Sequence, residues 1–344
     1  MGRVILVTGV SQDLGARAAV SLAADPEIDK IVGVDVTPPR ADLDRVKFVR
    51  ADIRNPVIGK VLAVEDVDTV VHLSVRPGQG RAGGASTKET NVIGTMQLLA
   101  ACQRAATVRK LVLKSSTSVY GASPRDPAMF AEGMPAKRPP HSGFAKDSFE
   151  VEGYVRGLAR RRPDMLVCVL RMANLLSPTL DSPMGRLFRL PVVPTVMGFD
   201  PRMQFIDEAD VLAVLHRATV HDVAGVFNVA GDGVVMLSQA IRRMGKPALP
   251  VPSFGFGAVL TSLGRGLHVD ASADTVGFLT HGRGVDTSAL KTIFGYRPML
   301  TSTATLNRFI GALPPGPIAA ARVRRVEDRV GSLVSAVAGG RGDG

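Results

Sequence analysis

Among its 344 residues the chain has no tryptophan, three tyrosines, two cysteines and six histidines. Each shortage removes a class of protein. Cys102 and Cys168 each sit inside an apolar segment and are too few to staple a small secreted scaffold. Two buried, unpaired thiols are a plainer reading than a disulfide. The histidines are scattered without metal-ligand spacing, so no metal site is expected. No uncharged apolar run reaches the roughly 18 residues that a membrane-spanning helix needs. The opening MGRVILVTGVSQD is apolar too briefly for a signal peptide and lacks a small-residue cleavage site; it reads as a buried strand of a cytoplasmic protein. Acidic residues are scarce as well, with 31 Asp and Glu against 42 Lys and Arg and a net charge of +11. The excess is arginine spread along the chain, clustered at Arg160 to Arg162 and Arg322 to Arg325, without interleaved aromatics. That pattern favours solvated surface charge over nucleic-acid binding, and leaves an anionic small-molecule ligand or membrane surface open.

What is present is ordinary for a globular protein, 45% hydrophobic and 21% charged. Short β-branched runs alternate with Ala/Leu-rich stretches, the βαβ pattern of a parallel sheet. Strands are expected at Val4–Thr8, Ile31–Asp35, Lys47–Arg50, Thr69–His72, Leu111–Ser115 and Met165–Arg171, and helices at Leu14–Ala24, Lys88–Arg104 and Ser148–Arg161. Asp25-Pro26 and Arg162-Pro163 stop the first and last helices, because a residue before proline resists helical angles. Beyond about Asn174 the alternation loosens and Pro and Gly become denser. The expectation is an α/β fold: a doubly wound parallel sheet in residues 1–174, completed by GVFNVAG (225–231), then a smaller substrate or partner domain at 175–312. Residues 313–344 read as a basic tail, partly helical or disordered. Within it, Ile318–Val337 sets Val323, Val326, Val330, Val334 and Val337 near one face beside Arg322, Arg325 and Arg329. Packing on its own domain, or on a second subunit of a homodimer, is the plain reading. Weak contact of the tail with an anionic membrane surface is the alternative.

The strand Val4–Thr8 runs into TGVSQDLG and then an alanine-rich helix. Such a turn brings a helix N-terminus, with its unpaired N–H groups, up to a pyrophosphate. Gly9 allows the sharp turn and Gly15 lets the helix pack close to the sheet. Asp35 ends the next strand, where a carboxylate accepts hydrogen bonds from ribose hydroxyls and disfavours a 2′-phosphate. NAD is therefore favoured over NADP, with nearby Arg40 softening the preference.

Several stretches then fall in one order: Thr8-Gly9 with Gly15, Asp52 in RADIRNP, VVHLSV (70–75), Asn91 in NVIGT, KSSTSVYG (114–121), RMANLLSP (171–178) and FGYRP (294–298). In that order they resemble the extended short-chain dehydrogenase/reductase family, the nucleotide-sugar epimerases and dehydratases, over nearly everything to about residue 312. Closer still, the chain resembles an actinobacterial subgroup labelled UDP-glucose 4-epimerase. The resemblance implies a Rossmann-type sheet and bound NAD. It implies a cofactor set of Gly9, Gln12, Leu14, Gly15, Asp35, Asp52, Ile53 and Asn91, with Ser116 at the catalytic hydroxyl position. The segment RPGQGRAGGAS (76–86), after the fourth strand, reads as a mobile lid or as an idle surface loop.

Three departures bear on chemistry. The family's middle glycine is Gln12, whose side chain can obstruct the phosphate or swing out and donate to it. The family's Tyr-x-x-x-Lys, one helical turn on one face, is Phe144 and Ser148 in HSGFAKDSFEVEG. Phenylalanine has no proton to exchange and serine brings no charge. Tyr120, Tyr154 and Tyr296 have Pro124, Leu158 and Leu300 four residues on, so the motif occurs nowhere else. Loss of a positioned acid/base costs about 10²–10⁴ in rate. Lys146 points to the opposite side of the helix, and rescue by Ser116 with Asp147 or Lys114 ranks below loss of the function. On the substrate side, MQFIDEAD (203–210) puts Met203 where the family carries an arginine phosphate clamp and Asp207 at its histidine. Arg202 faces the other way, and Arg283 in HGRGVD is what remains of a second clamp. Two functions are carried forward: an atypical or slow oxidoreductase or epimerase using Ser116 and NAD on a small-molecule substrate, and an NAD-occupied sensor or scaffold for a partner protein.

Overall fold

A computed structural model describes residues 3–77, 87–264 and 271–316. Most of the glycine-rich segment read as a lid, and the basic tail past residue 316, lie outside the described residues. Seven parallel strands form the central sheet: β1 (Arg3–Thr8), β2 (Ile28–Asp35), β3 (Lys47–Arg50), β4 (Thr69–His72), β5 (Lys110–Ser116), β6 (Leu166–Met172) and the strand Gly225–Val229. Their order runs from Gly225–Val229 through β6, β5, β4, β1 and β2 to β3. The direction of winding reverses between β1 and β4, so a crevice opens at the carboxyl ends of those two strands. Ile5, Leu6 and Val7 of β1 are fully buried, since a central parallel strand is covered on both faces. Ile5 and Val7 join the core on the side of α1 (Asp13–Ala23), and Leu6 joins the core on the side of α2 (Val57–Val64).

The expected strands and the returning strand match these closely, because β-branched runs buried on both faces have few alternatives. The helices differ in informative ways. The helix expected at Ser148 begins at Gly143 and runs to Arg161. Its start is held from outside: the Asp274 carboxylate accepts from the Ser142 N–H at 2.6 Å, the Ser142 hydroxyl at 2.7 Å and the His141 N–H at 3.0 Å. Such a clamp, 132 residues away in sequence, is invisible to periodicity. The single helix expected over Lys88–Arg104 opens with a π-helical segment, Glu89–Gly94, before Thr95–Arg104. The wider turn accompanies the burial of Asn91 and its side-chain bonds to the neighbouring chain. Helix α2 carried no signal strong enough to be expected.

Beyond Asn174 the chain builds short two-stranded pairs and helices around a further apolar cluster that includes Phe188, Phe205, Phe256, Leu306 and Phe309. Both cysteines are buried and unpaired, and burial pushes each thiol up to about 12. No described helix is long and apolar enough to cross a membrane.

The long helix is anchored by a buried ion pair. Arg171 on β6 donates to Glu152 through Nε at 3.0 Å and Nη2 at 2.7 Å, and to the Tyr120 hydroxyl at 2.7 Å. Ser115 donates to Glu152 at 2.6 Å, and Tyr120 donates to Asn228 Oδ1 at 2.8 Å. Tyr120 also stacks on Phe130 with ring centroids 4.5 Å apart. A pair this well satisfied is tolerated, but removing one partner leaves a bare buried charge. Glu152→Ala is therefore expected to lower the unfolding free energy by about 3–5 kcal/mol, measured by urea denaturation. A loss below about 1 kcal/mol, the range of a surface pair, would show that this pair does not anchor the helix.

Candidate active-site cleft

The turn after β1 is shaped by two glycines. Gly9 has φ +84°, and a Cβ on Gly15 would sit 2.1 Å from the Gly9 carbonyl oxygen, so α1 approaches the loop as only glycine permits. Gln12 caps α1 in an extended conformation without a side-chain cap bond. The first-turn N–H groups of α1 thus face the crevice with no side chain spent on them. A Cβ on Gly9 would lie 3.0 Å from the Ser74 nitrogen, which places the loop directly against the end of β4.

From this loop a cleft of about 840 Å³ runs across the carboxyl edge of the sheet. Its near end is lined by Ser11 to Leu14 and by Thr37, Pro38 and Arg40. Its middle is lined by Arg76, Lys114, Ser116, Phe144 and Met172, and its far end by Leu180 to Leu187, Thr275, Phe278 and Arg283. One continuous space therefore joins the phosphate-type loop to the strand–turn carrying Ser116 and to the elements beyond Asn174.

The expected cofactor residues fall into three groups. Gln12 and Leu14 line the cleft, with Gly9 and Gly15 shaping the turn beside them. Asp35 stands behind the loop and holds it: its Oδ2 accepts from the Ser11 N–H at 3.0 Å and from the Ser11 hydroxyl. Asp52, Ile53 and Asn91 lie away from the wall. Asp52 is gripped by Arg54 at 2.7 Å, and those hydrogen bonds hold its carboxyl below the usual range. Ile53 is buried against Gly94, where a Cβ would come within 2.8 Å of it. Asn91 is fully buried and bonds the backbone of Arg76 through both side-chain atoms, at 2.8 and 3.1 Å, and donates to Asp147 at 2.9 Å.

Around the expected reaction centre, Ser116 Oγ accepts from the Ser118 N–H at 3.1 Å, which fixes it at the start of the turn Thr117–Tyr120. Phe144 lines the cleft and packs on the apolar core of the α2 side. Ser148 is 1% exposed and its hydroxyl has no partner among the described residues. Lys146 pairs with Glu150 at 3.8 Å on its own helix and does not line the cleft. Asp147 is committed to Asn91, and burial raises its pKa. Lys114 is different. It lies on the wall, its Nζ donates to the Val75 carbonyl at 3.1 Å, and burial lowers its pKa to about 8. Behind it His72 bridges the Thr8 and Thr95 hydroxyls at 2.8 Å each; burial, then the charge of Lys114, lower its pKa to about 3, so it stays neutral.

At the far end, Arg283 donates to the Gly121 carbonyl, lies 4.9 Å from the Phe278 ring centroid and has an Nε with no partner among the described residues. Burial lowers its pKa to about 10, which leaves it a cation at neutral pH. Arg186 also faces the cleft and pairs with Asp181 at 2.6 Å. Met203, expected where the family carries an arginine, is fully buried in the cluster beyond Asn174. Asp207 caps the helix Glu208–Val220, accepting from Ala209 N–H at 2.9 Å, and pairs with Arg308 at 3.1 Å. Arg202 donates to the Ala128 carbonyl. The sequence reading did not single out Arg186 or the Leu180 to Leu187 wall, because nothing local distinguishes them from surface and core. Among the described residues no three His, Cys, Asp or Glu side chains gather as metal ligands.

Residues 5–230 match the profile of the NAD dependent epimerase/dehydratase family. The chain belongs to that family. A protein of Mycobacterium tuberculosis, named only as uncharacterized, is 44% identical over 338 residues, covering 96% of this chain and 90% of the relative. Among solved structures, Bacillus cereus UDP-glucuronic acid 4-epimerase in complex with UDP-glucuronic acid and NAD superposes with a TM-score of 0.68 at 19% identity, over 90% of this chain and 98% of that one. Bacillus anthracis dTDP-glucose 4,6-dehydratase in complex with NAD gives 0.68 at 18% identity, over 90% and 96%. At these identities the structural likeness concerns the fold.

The orphaned Ser148 hydroxyl generates a prediction. A buried hydroxyl without a partner is destabilising, so Ser148→Ala is expected to leave stability unchanged or raise it by up to about 1 kcal/mol in thermal and urea unfolding. A loss of more than about 1 kcal/mol would reveal a hydrogen bond that this structure lacks.

Proposed function

We propose that this chain is an NAD(H)-binding member of its family with an atypical acid/base apparatus, acting as a slow oxidoreductase or epimerase on a small anionic molecule. The observation that carries the reading is the single cleft joining the Gly9–Gly15 loop, Ser116 and Arg283. The residues present fit a dinucleotide: the space that a Cβ on Gly15 would fill is needed for the close approach of α1, and the first turn of α1 is unspent. Leu14 and Gln12 line the pyrophosphate end, and Asp35 keeps the loop in place through Ser11. When bound, the nicotinamide supplies hydride transfer. The chain's own part is to orient the substrate hydroxyl near Ser116, exclude water with Phe144 and Met172, and move the accompanying proton.

Cations along the middle and far end support an anionic substrate. Arg76, Lys114, Arg186 and Arg283 face the space, while the Asp181 carboxylate there is paired with Arg186. A nucleotide-sugar diphosphate has matching charge, and the Bacillus cereus UDP-glucuronic acid 4-epimerase holds one, UDP-glucuronic acid. The replacement of Arg by Met203 removes one charge-assisted contact, worth about 1.5–3 kcal/mol, and argues for weaker binding than an intact clamp provides. Assignment of residues to the dinucleotide-binding part (1–174) and the substrate part (175–312) follows the same reading.

A second reading, a cofactor-occupied sensor or scaffold, is favoured by one observation: Phe144 lines the cleft with a ring that has no proton to exchange, and Ser148 is buried off the cleft wall. Two measurements separate the cases. NAD titration by calorimetry, with mass spectrometry of retained nucleotide, is expected to show one site; no binding at millimolar NAD overturns both readings. Phe144→Tyr with Ser148→Lys is expected to raise the single-turnover rate of NAD reduction by UDP-sugars at least about tenfold, the low side of what a positioned acid/base supplies. Binding of NAD without turnover in either protein leaves the sensor reading as the better one.

A further inference from the structure

We propose that Lys114 is the proton-exchanging group of this cleft, taking the place of the missing tyrosine. The inference rests on the NAD-binding reading above and goes beyond it by naming a residue outside the Tyr-x-x-x-Lys positions.

The placement follows from strand geometry. Alternate residues of β5 face opposite sides of the sheet. Leu111 and Leu113 join the core on the α2 side, and Ser115 bonds Glu152 on that side. Val112 faces the α1 side, and Lys114 and Ser116 continue its row to the point where β5 ends and the cleft begins. The Nζ bond to the Val75 carbonyl fixes the ammonium just past the end of β4, the same end against which the Gly9 turn packs. The amine thus stands between the phosphate-type loop and Ser116, with Phe144 lining the same space.

Its surroundings leave it without a counter-charge. Among the described residues Lys114 has no ion pair, and its Nζ bonds a backbone carbonyl. On the long helix, Glu152 belongs to Arg171, Asp147 to Asn91, and Glu150 and Lys146 to each other. Beyond Asn174, Asp181 belongs to Arg186, and Asp274 to the His141–Ser142 backbone. From β4, His72 is neutral and held by two threonines. Arg76 in the middle of the cleft and Arg283 at its far end bring no negative charge either. An ammonium so placed, drawn out of solvent and facing only dipoles, releases its proton more readily than a solvated lysine. The lowering of its pKa to about 8 by burial agrees. Matching of a group's pKa to the working pH is what general acid/base catalysis requires.

The chemistry balances without a further reagent. Lys114 in its amine form accepts the proton of a substrate hydroxyl held by Ser116. As that O–H bond breaks, the carbinol C–H bond breaks as well, and its electron pair leaves as hydride to an oxidised nicotinamide dinucleotide. The products are a carbonyl compound, the reduced dinucleotide and the Lys114 ammonium. Return of the proton and hydride reverses the step.

Three proteins test this: wild type, Lys114→Met and Lys114→Arg. Arginine keeps the charge and the bond to Val75 but cannot be deprotonated near neutral pH. The first readout needs no cofactor. In the NAD-free protein, lysine side-chain NMR is expected to show one resonance, absent from Lys114→Met, titrating near pH 8. An ordinary midpoint above about 10 overturns the proposal. The second readout is single-turnover reduction of bound NAD with UDP-glucose and UDP-glucuronic acid as probes. Wild type is expected to rise with pH through about 8. Both variants are expected to keep NAD affinity within about threefold and to fall about 10² or more in rate. A role confined to holding Val75 predicts that Lys114→Arg is restored, and that result overturns the proposal, as does a wild type that holds NAD but is reduced by neither probe. A wild type that binds no NAD refutes the underlying reading instead, and the NMR midpoint distinguishes the two failures.

Discussion

The buried pair between Glu152 and Arg171 is the constraint on which the cleft depends. It ties the long helix to β6 while Ser115 and Tyr120 draw in β5 and the turn after it. Through Tyr120 and Asn228 the same network reaches the returning strand Gly225–Val229. Three stretches that resemble family motifs therefore converge on one polar knot inside the protein. Such a network makes geometry more than it makes stability, since each member is satisfied only in one arrangement. Phe144 and Ser148 stand where they do because the helix that carries them is pinned there.

Given that scaffold, the cleft is defined by the side chains that line it. The helix presents an apolar ring at Phe144 and an orphaned hydroxyl at Ser148. On β5, Lys114 follows Val112 and precedes Ser116 on the face that runs into the cleft. A lysine drawn out of solvent with no ion-pair partner among the described residues is an unusual thing to keep. Its desolvation is unfavourable, and proximity to a reaction centre is one physical reason for keeping it. Charge at the far end points the same way as chemistry in the middle. Arg283 and Arg186 both line the far end, and the buried Nε of Arg283 has no partner among the described residues.

Much of the fold was legible. Runs such as VILVT and TVVH are buried on both faces, so their apolar continuity and β-branching leave little room for another assignment. The proline stops placed two helix ends to within two residues. The start of the long helix was not legible, because Asp274 holds it from a distant segment. Nor was the π-helical segment at Asn91, whose cause is a pair of bonds to Arg76. The elements beyond Asn174 pair as short two-stranded pieces, too brief for periodicity to register. In the site, residue types spoke clearly where a backbone conformation demanded them, as at Gly9 and Gly15. They spoke less clearly where a side chain has more than one possible partner. Asp52 turns to Arg54, Asp35 to Ser11 and Asn91 to Arg76 and Asp147, choices that local sequence does not contain.

What the chain's sequence determined by itself is therefore the doubly wound sheet, the glycine turn, the family and the identities of Phe144 and Ser148 on the long helix. Each rests on residue identity or on short-range periodicity. Tertiary structure alone decided which ionisable groups meet in the cleft: Lys146 turned to Glu150, Asp147 was consumed by Asn91, and Lys114 was left facing the open space. The reason is that charge pairing and burial are settled between segments far apart in the chain, and one-dimensional spacing carries no record of them.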